Sequence, residues 1–312
     1  MTTWLLRRTI QMLAVIWGVM TLAFILAFIV PGDPARMVAG TNASAQAVAN
    51  IRHELGLDQS LVSQYFHFVV RLFHGNLGVS FALQNQTVGS VIMRALPFTM
   101  ALAIGGILWE LLLGIPFGII AAYRPKSAFD RIATFSALFG LSTPPFWLGL
   151  MLLYFLAFKL SVFPLNGVGH PLIWYLILPS FTLGVGGAAF YSRIVRTTVI
   201  NVLRSPFIEF AQLKGMPASL ILKRHVIRHA LMPIVTMIGM DLGYFLGGVL
   251  IVESIFGIPG IGQLAFRSIS TLDVPIITGT VLVASVFMVL MNFFVDILYT
   301  FIDPRVKLQR NT

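Results

Sequence analysis

Six long apolar segments dominate this sequence and confine the chain to a membrane. A helix needs about 20 mostly apolar residues to cross a hydrocarbon core of about 30 Å. Segments of that kind lie near residues 9–30, 96–122, 132–158, 173–192, 231–253 and 276–301. Hydrophobic residues make up 57% of the 312 positions and charged residues only 10%, which is too apolar for an ordinary soluble domain. We predict an all-α, polytopic membrane protein with six transmembrane helices.

The net charge of +10 is explained by membrane topology rather than by nucleic-acid binding. If the N-terminus is cytoplasmic, 15 of the 21 lysines and arginines fall in cytoplasmic segments. Those residues are Arg7, Arg8, Arg124, Lys126, Arg131, Arg193, Arg196, Arg204, Lys214, Lys223, Arg224, Arg228, Arg305, Lys307 and Arg310. Four of the other six lie in a single long outer loop, which counts little in the positive-inside rule. We therefore predict that both termini are cytoplasmic and that nucleic acid is not a partner.

The long outer loop, residues 31–95, contains two short helical patterns and is expected to be folded. Ser44 can cap a helix that ends before Gly56, and an amphipathic pattern lies between Ser60 and Gly75. The amphipathic helix is expected to lie on the membrane or on neighbouring spans. The loop is either a docking surface for an external partner or a lid packed on the helix bundle, and the sequence leaves both open.

Prolines interrupt three of the apolar segments, at Pro116, at Pro144 and Pro145, and at Pro179. A proline inside a helix removes a backbone hydrogen bond, and in lipid the freed carbonyl needs another partner. Broken helices are therefore expected where they are buried in protein or line a water-filled path, which favours a transporter. The alternative for each proline is a kink that improves packing.

Four acidic residues fall within the apolar segments: Glu110, Asp241, Glu253 and Asp296. A charged group in hydrocarbon costs roughly 3 kcal/mol on insertion scales, so these side chains should face the interior or a cavity. Glu110 and Asp241 lie near the middle of their segments and are the candidates for a translocation path, where they could meet cationic solutes. A structural hydrogen bond to a neighbouring helix is the alternative for both. Glu253 could end its helix.

A polar, basic stretch between the fourth and fifth segments predicts a helix-turn-helix. Ser205 and Pro206 fit the cap and first position of a helix that runs to Lys214. Gly215 suits the left-handed residue that ends a helix, and Pro217 fits the start of the next one. The first helix offers aromatic side chains and the second basic ones, namely Phe207, Phe210, Lys223, Arg224 and Arg228. The hairpin either fits a cleft in another protein or lies on anionic lipid.

Motifs for catalysis and metal binding are absent from the sequence. The chain has no cysteine, and it contains no Gly-Lys dipeptide and hence no phosphate-binding P-loop. Neither His-Glu-x-x-His nor Gly-x-Ser-x-Gly occurs, and the basic surroundings of His225 and His229 suit a solvated face better than a metal. We expect no catalytic residue, metal or cofactor in this chain, so an intramembrane enzyme is a weak alternative.

The basic hairpin resembles that of permease subunits from binding-protein-dependent ABC importers. Their pattern of Glu-Ala-Ala, three residues and Gly, with a later Leu-Pro, is matched by Glu209-Phe210-Ala211, Gly215 and Leu231-Met232-Pro233. Phe210 and Met232 depart from the pattern, while the spacing is intact.

Other segments resemble the first permease of the dipeptide, oligopeptide and nickel branch, and they follow in order over almost the whole chain. They are Arg7-Arg8, Pro31-Gly-Asp33-Pro34, Leu55-Gly-Leu-Asp58, Gln64-Tyr65, Gly75-Asn-Leu-Gly78-Val-Ser80, Glu253-Ser-Ile-Phe-Gly-Ile-Pro259-Gly-Ile-Gly262, Asp273-Val-Pro275, Asp296-Ile-Leu-Tyr299 and Asp303-Pro304-Arg305. Ser60 and Asn76 stand where proline and aspartate are usual.

The resemblance implies a type I ABC importer permease with two parts. Residues 1–95 would form the first transmembrane helix and a folded extracytoplasmic loop, and residues 96–306 a core of five transmembrane helices. The loop near 204–229 would couple the chain to an ATPase. Its implied site residues are Phe207, Glu209, Phe210, Ala211, Gly215 and Arg224.

The resemblance also implies the partners and the place of the chain in a prokaryotic cell membrane. A second homologous permease subunit would complete the pore, two cytoplasmic ATPase subunits would bind ATP and magnesium, and an extracytoplasmic binding protein would deliver the solute. Peptides, nickel chelates or similar small solutes would be carried, and membrane lipid would surround the spans. The alternative is an ion-coupled secondary transporter that uses Glu110 and Asp241, but no internal repeat supports it and the 204–233 hairpin would have no task.

Overall fold

The computed structural model describes residues 2–28, 34–39, 43–54, 56–83, 86–246 and 249–302. In this part of the chain the regular structure is helical, with one isolated bridge between Val79 and Thr87 and no strand. The helices are α1 (Thr2–Phe28), α2 (Pro34–Ala39), α3 (Ala45–Glu54), α4 (Leu61–Phe73), α5 (Val88–Tyr123), α6 (Ala128–Ser142), α7 (Pro145–Lys159), α8 (Leu172–Leu203), α9 (Pro206–Leu213), α10 (Ala218–Leu246), α11 (Leu250–Phe256), α12 (Ile261–Ser270) and α13 (Val274–Ile302). The predicted all-α architecture is confirmed.

Five of the described helices are long and apolar enough to cross a membrane: α1, α5, α8, α10 and α13. The predicted third span is instead a pair, α6 and α7, bent by 101°. The break falls at Pro144 and Pro145, where Pro145 is the first residue of α7 and the missing proline N–H groups prevent a continuous helix. Counting each bent pair as one span gives up to seven spans.

The predicted fifth span differs in both of its bounds. The helix begins at Ala218, inside the basic stretch, and ends at Leu246 rather than near residue 253. A second bent pair follows, because α11 and α12 meet at 85°. Gly257 ends α11 with a left-handed φ of 65°, a conformation that L side chains adopt only with strain. We call this pair the 250–270 bend.

Pro116 and Pro179 do not interrupt their spans, because α5 and α8 run through them. These two helices form the most extensive helix-helix interface among the described elements. Small residues permit the close approach. A Cβ on Gly118 would lie 2.7 Å from the Ser192 carbonyl oxygen, and a Cβ on Gly184 would lie 2.6 Å from the Trp109 Cβ. Glycine is therefore needed where the two backbones touch.

Both helical patterns of the outer loop are present, as α3 and α4. The Ser60 Oγ accepts a hydrogen bond of 3.3 Å from the Ser63 N–H at the start of α4. The end of the loop is tied to the start of α13, because Ser80 Oγ donates a short hydrogen bond to Asp273, and the Ala82 N–H donates another of 3.1 Å. Asp273 is buried, so this contact joins the loop firmly to the bundle.

Candidate functional site

The 204–229 hairpin joins α8 to α10, with α9 at its tip. Ser205 ends the turn after α8 and donates a short hydrogen bond from its Oγ to the Val202 carbonyl. Pro206 takes the first helical position, as expected, because a proline there loses no intrahelical bond. Pro217 precedes the first residue of α10 rather than being part of it. The hairpin is thus continuous with two membrane-spanning helices, α8 and α10.

Gly215 reverses the chain after α9 with a φ of 77°. Its N–H donates to the Gln212 carbonyl at 2.9 Å, and the Met216 N–H donates to the Ala211 carbonyl at 3.2 Å. This pair of bonds is the Schellman arrangement, which satisfies the last carbonyls of a helix and needs a left-handed residue at this position. Apart from its two chain neighbours, none of the described residues has an atom within 4 Å of a Cβ built on Gly215, so backbone conformation rather than space requires glycine.

One face of α9 is buried and fixes the hairpin to the bundle. Ile208 is fully buried and Ala211 is 7% exposed. Both belong to an apolar cluster with Val199 and Val202 of α8 and Val226 of α10. Ala211, a predicted coupling residue, therefore packs inside the hairpin and does not face outward.

Phe207 links α9 to α10 through ring contacts. Its ring stacks on the His229 ring with centroids 5.5 Å apart and contacts the His225 ring at 6.1 Å. The two histidines, four residues apart on α10, thus lie against an aromatic ring. Phe207 remains 44% exposed at the edge of this contact.

The outward face of α9 carries Glu209, Phe210 and Leu213. Phe210 is 59% exposed and Leu213 is 81% exposed. The Lys214 Nζ lies 4.6 Å from the centre of the Phe210 ring, within range of a cation-π contact. Glu209 and Arg224 are also exposed. Leu213 was missed from the sequence, although its spacing of three residues from Phe210 places both on one helix face.

An ion pair that the sequence pattern did not indicate joins α6 to α8, the helix that leads into the hairpin. Arg196 of α8 binds the Asp130 carboxylate in a bidentate way, with Nε to Oδ1 at 2.7 Å and Nη2 to Oδ2 at 2.9 Å. Asp130 is 5% exposed and also accepts from the Lys126 N–H at 2.8 Å. Two parallel hydrogen bonds between a guanidinium and a carboxylate fix the relative orientation of the two side chains. The ion pair ties the start of α6 to α8, and no local pattern could have indicated it, because Arg196 and Asp130 are 66 positions apart.

The two acidic candidates for a passage lie where α5, α8 and α10 pack together, with Glu110 buried and Asp241 partly buried. Glu110 is 2% exposed, and its carboxyl group interacts with that of Asp241. Tyr191, 1% exposed, donates a hydrogen bond of 2.7 Å from its hydroxyl to Asp241 Oδ2. Among the described residues no hydrogen-bond partner reaches Glu110 Oε2. Gly187 makes room for Glu110, because a Cβ there would overlap its carboxyl group.

Asp241 therefore makes a structural hydrogen bond to a neighbouring helix, which is the alternative to a place in the passage. Glu110, in turn, does not reach the surface of the chain. The translocation role of both residues stays a prediction. Tyr191 could not be chosen from the sequence, because nothing in the pattern of α8 distinguishes it from other apolar-face residues.

Glu253 lies within α11 and stabilises the 250–270 bend through hydrogen bonds. It is fully buried, and its carboxyl group accepts hydrogen bonds from Thr99 Oγ1 at 2.7 Å and the Gln263 N–H at 2.8 Å. Gly260 and Gly262 form a cradle in which a Cβ would meet the carboxyl group. The carboxyl group thus joins both arms of the bend to α5.

The protein family described as "Binding-protein-dependent transport system inner membrane component" matches residues 114–308. Its companion family, "Binding-prot-dependent transport system membrane comp, N-term", matches residues 1–103. The two matches together cover most of the chain, including the hairpin and both bent pairs.

Curated relatives match over almost their whole length. The chain is 35% identical over 307 residues to "Glutathione transport system permease protein GsiC" of Pectobacterium atrosepticum, covering 98% of this chain and 99% of the relative. It is 37% identical over 314 residues to "Probable peptide ABC transporter permease protein y4tP" of Sinorhizobium fredii, covering 98% and 100%.

Among solved structures, the chain is similar to an inward-facing form of the MetNI methionine ABC transporter. The TM-score is 0.56 at 18% identity, and the match covers 68% of this chain and 96% of that one. A second crystal form gives a TM-score of 0.52 at 17% identity. At this identity the likeness concerns the fold alone.

Proposed function

This chain belongs to the family of binding-protein-dependent transport system inner membrane components, and from that membership we propose that it carries peptides, with glutathione-like tripeptides as the first candidates. The protein is a multi-pass inner-membrane permease subunit of an ABC importer in the peptide branch. The relatives described above are named for glutathione and peptide transport. They give no support to nickel chelates or to the ion-coupled alternative.

The proposed complex contains a second homologous permease, two ATPase subunits and an extracytoplasmic binding protein. ATP and magnesium would be bound by the ATPase subunits, because this sequence has no P-loop. The charge distribution supports cytoplasmic termini, which would put the 204–229 hairpin on the same side as the ATPases.

The observation that carries the coupling role is the contrast between the two faces of α9. Ile208 and Ala211 fix the helix to α8 and α10, while Phe210 and Leu213 stay exposed beside Glu209. Exposed large apolar side chains on a fixed helix are typical of anchors that fill a cleft in a partner. A force applied to this face would be transmitted directly to two spanning helices.

For Glu110 and Asp241 we propose the structural role rather than the passage. Glu110 is held inside one chain, whereas a pore between two permeases would be lined by surfaces that are exposed in the single subunit. Asp241 is only partly buried, and its carboxyl group is already engaged by the Tyr191 hydroxyl. Their contact with Tyr191 supports a role in holding α5, α8 and α10 together.

Uptake into proteoliposomes tests the proposed function. The purified complex is reconstituted with its binding protein and offered labelled glutathione, a neutral tripeptide and a nickel chelate. We expect uptake of the peptides only when ATP and the binding protein are both present. Uptake driven by an ion gradient without ATP would overturn the importer mechanism, and uptake of the nickel chelate alone would overturn the peptide assignment.

A further inference from the structure

We propose that α4, the amphipathic helix of the long loop, is embedded in one membrane leaflet with a stripe of its side chains against lipid acyl chains. We define the α4 stripe as Val62, Phe66, Val70 and Phe73, which recur at intervals of four, four and three residues and so share one helix face. The proposal concerns a surface outside the coupling and interior sites described above.

The position of α4 along α1 places it at the depth of the hydrocarbon core. Its Tyr65 hydroxyl hydrogen-bonds the Thr21 hydroxyl at 2.8 Å, and the Tyr65 ring packs against Trp17 at 6.0 Å and Phe24 at 5.2 Å. The apolar span of α1 runs from Leu6 to Leu26. At a rise of 1.5 Å per residue, Thr21 lies about 8 Å inside the end of that span. The helix that contacts it cannot lie wholly above the membrane.

Three faces of α4 have three different surroundings. Phe68 and Val69, 7% and 8% exposed, pack on α1 and on Leu282 of α13. The α4 stripe comes next around the helix, and its members are 51–77% exposed. The remaining face is polar and carries Ser63, His67 and Arg71. The buried face of α4 contacts protein, the apolar exposed face is suited to lipid, and the polar face is suited to water. This order is typical of a helix that lies in the membrane interface beside other helices.

Lipid is the occupant that fits the α4 stripe, because α4 packs on α1, a helix whose own surface is mostly apolar and exposed. Only 17% of the α1 span is buried, and Trp17 and Leu22 are 51% and 61% exposed on it. A soluble binding protein would meet the polar face instead. The stripe contains no charged side chain that could pair with a partner. In the proposed orientation the leaflet is the outer one, whereas the lipid contact itself does not depend on the orientation.

The natural absence of cysteine makes the test direct, since a single introduced cysteine is the only thiol in this chain. Nitroxide labels are placed at Phe66→Cys, on the α4 stripe, and at His67→Cys, the neighbouring residue on the polar face. The labelled permease is assembled with its partners, made free of cysteine or blocked beforehand, in lipid nanodiscs. Collision rates are then measured with oxygen, which concentrates in lipid, and with a water-soluble nickel chelate.

We expect frequent oxygen collisions and loss of chelate collisions at position 66, with the opposite result at position 67. Val70→Cys repeats the test on the stripe and should behave as position 66 if the first label does not disturb the helix. Equal access of the chelate to positions 66 and 67 would overturn the proposal in favour of a helix in water. Low collision rates with both reagents at 66 and 70 would overturn it in favour of a protein occupant, either the second permease or the binding protein.

Discussion

The 204–229 hairpin and the 250–270 bend both change the direction of the chain between helices, yet they use their acidic residues in opposite ways. In the bend, Glu253 is fully buried and accepts hydrogen bonds from Thr99 and Gln263. In the hairpin, apolar contacts of Ile208 and a left-handed Gly215 hold the turn, and Glu209 points outward. A carboxyl group that already has its partners within the chain serves the fold. One that is exposed on a fixed helix is available to another protein.

Loss of the Glu253 carboxyl group should produce the largest effect on the protein itself. Glu253→Ala leaves the Thr99 hydroxyl and the Gln263 N–H buried without an acceptor, at a cost of about 1–3 kcal/mol for each group. We expect a lower Tm in detergent and a reduced yield of folded protein. The matched control is Glu209→Ala in the hairpin, which should leave the Tm unchanged because Glu209 is exposed. Equal Tm values for the two variants would remove the contrast between bend and hairpin.

Gly215→Pro should abolish uptake while the chain stays inserted in the membrane. Proline fixes φ near −65°, which is incompatible with the observed 77°, and it also removes the N–H that bonds to the Gln212 carbonyl. The helix reversal would be lost and α9 displaced from its seat. Binding-protein-stimulated ATP hydrolysis and uptake are measured together in proteoliposomes.

Gly215→Ala is the graded control for that variant. Because the space around the residue is open, the only cost of alanine is the strain of a left-handed backbone, about 1 kcal/mol. It should retain most of the uptake. Normal uptake by Gly215→Pro would contradict the coupling role of the hairpin.

Charges placed on the outward face of α9 should impair coupling without affecting folding. Leu213→Asp puts a carboxylate where an 81% exposed leucine is proposed to enter a cleft, and Glu209→Lys reverses the adjacent charge. Exposed positions change stability by about 0.5 kcal/mol or less, so the Tm should stay the same. We expect weaker copurification of the ATPase and lower uptake.

Gln212→Asp supplies the control on the same helix. Gln212 is exposed but is adjacent to Leu213 and two residues from Phe210, so it does not share their helix face. As the control for Leu213→Asp, its replacement should leave ATPase binding intact. If all three variants bind the ATPase as well as the unaltered chain does, α9 is not the contact.

The sequence predicted the hairpin well because its determinants are local. Proline at a helix start and glycine at a helix end act within a few residues, so Pro206 and Gly215 could be placed before any tertiary contact was known. The same local logic failed at Pro116 and Pro179. Neighbouring helices in a bundle can satisfy the carbonyls that a proline frees, and whether they do so depends on tertiary packing.

The interior contacts could not be predicted because they join residues far apart in the chain. Tyr191 and Asp241 are 50 positions apart, and Thr99 and Glu253 are 154 apart. Apolar periodicity identifies which helix faces are buried, but it does not say which polar groups meet. The carboxyl groups were therefore recognised as exceptional, while their partners Tyr191 and Thr99 were not.

Tyr191→Phe should produce a smaller effect, and it separates the two roles considered for Asp241. Removing the hydroxyl deletes one hydrogen bond, worth about 1 kcal/mol, so the Tm should fall slightly. If the group is structural, uptake of cationic and neutral peptides should fall together, and Asp241→Asn should behave in the same way. A selective loss of cationic peptides in Asp241→Asn, with an unchanged Tm, would return Asp241 to the passage.

The smallest effect is expected in the exposed loop, where His53 Nδ1 and Asp58 Oδ2 are 2.7 Å apart. The hydrogen bond to Asp58 raises the pKa of His53 above its ordinary 6.5, and the same bond lowers the pKa of Asp58 below 3.8. The stabilisation from His53 is complete below pH 6.5 and is lost as the pH rises through the raised value. That from Asp58 is complete above pH 3.8 and is lost as the pH falls. The pair is therefore most effective between about pH 4 and 6.5.

We expect amide exchange near residues 53–58, corrected for the intrinsic pH dependence, to be slightly slower at pH 5.5 than at pH 8. Asp58→Asn should remove that difference, because the amide keeps the shape of the side chain but not its charge. Both side chains are exposed to water, so the change should stay local and leave uptake unaltered. A pH-dependent change in uptake that disappears in Asp58→Asn would show that this exposed pair affects transport. It would contradict the view that, within the chain, only buried carboxyl groups such as that of Glu253 have a structural effect.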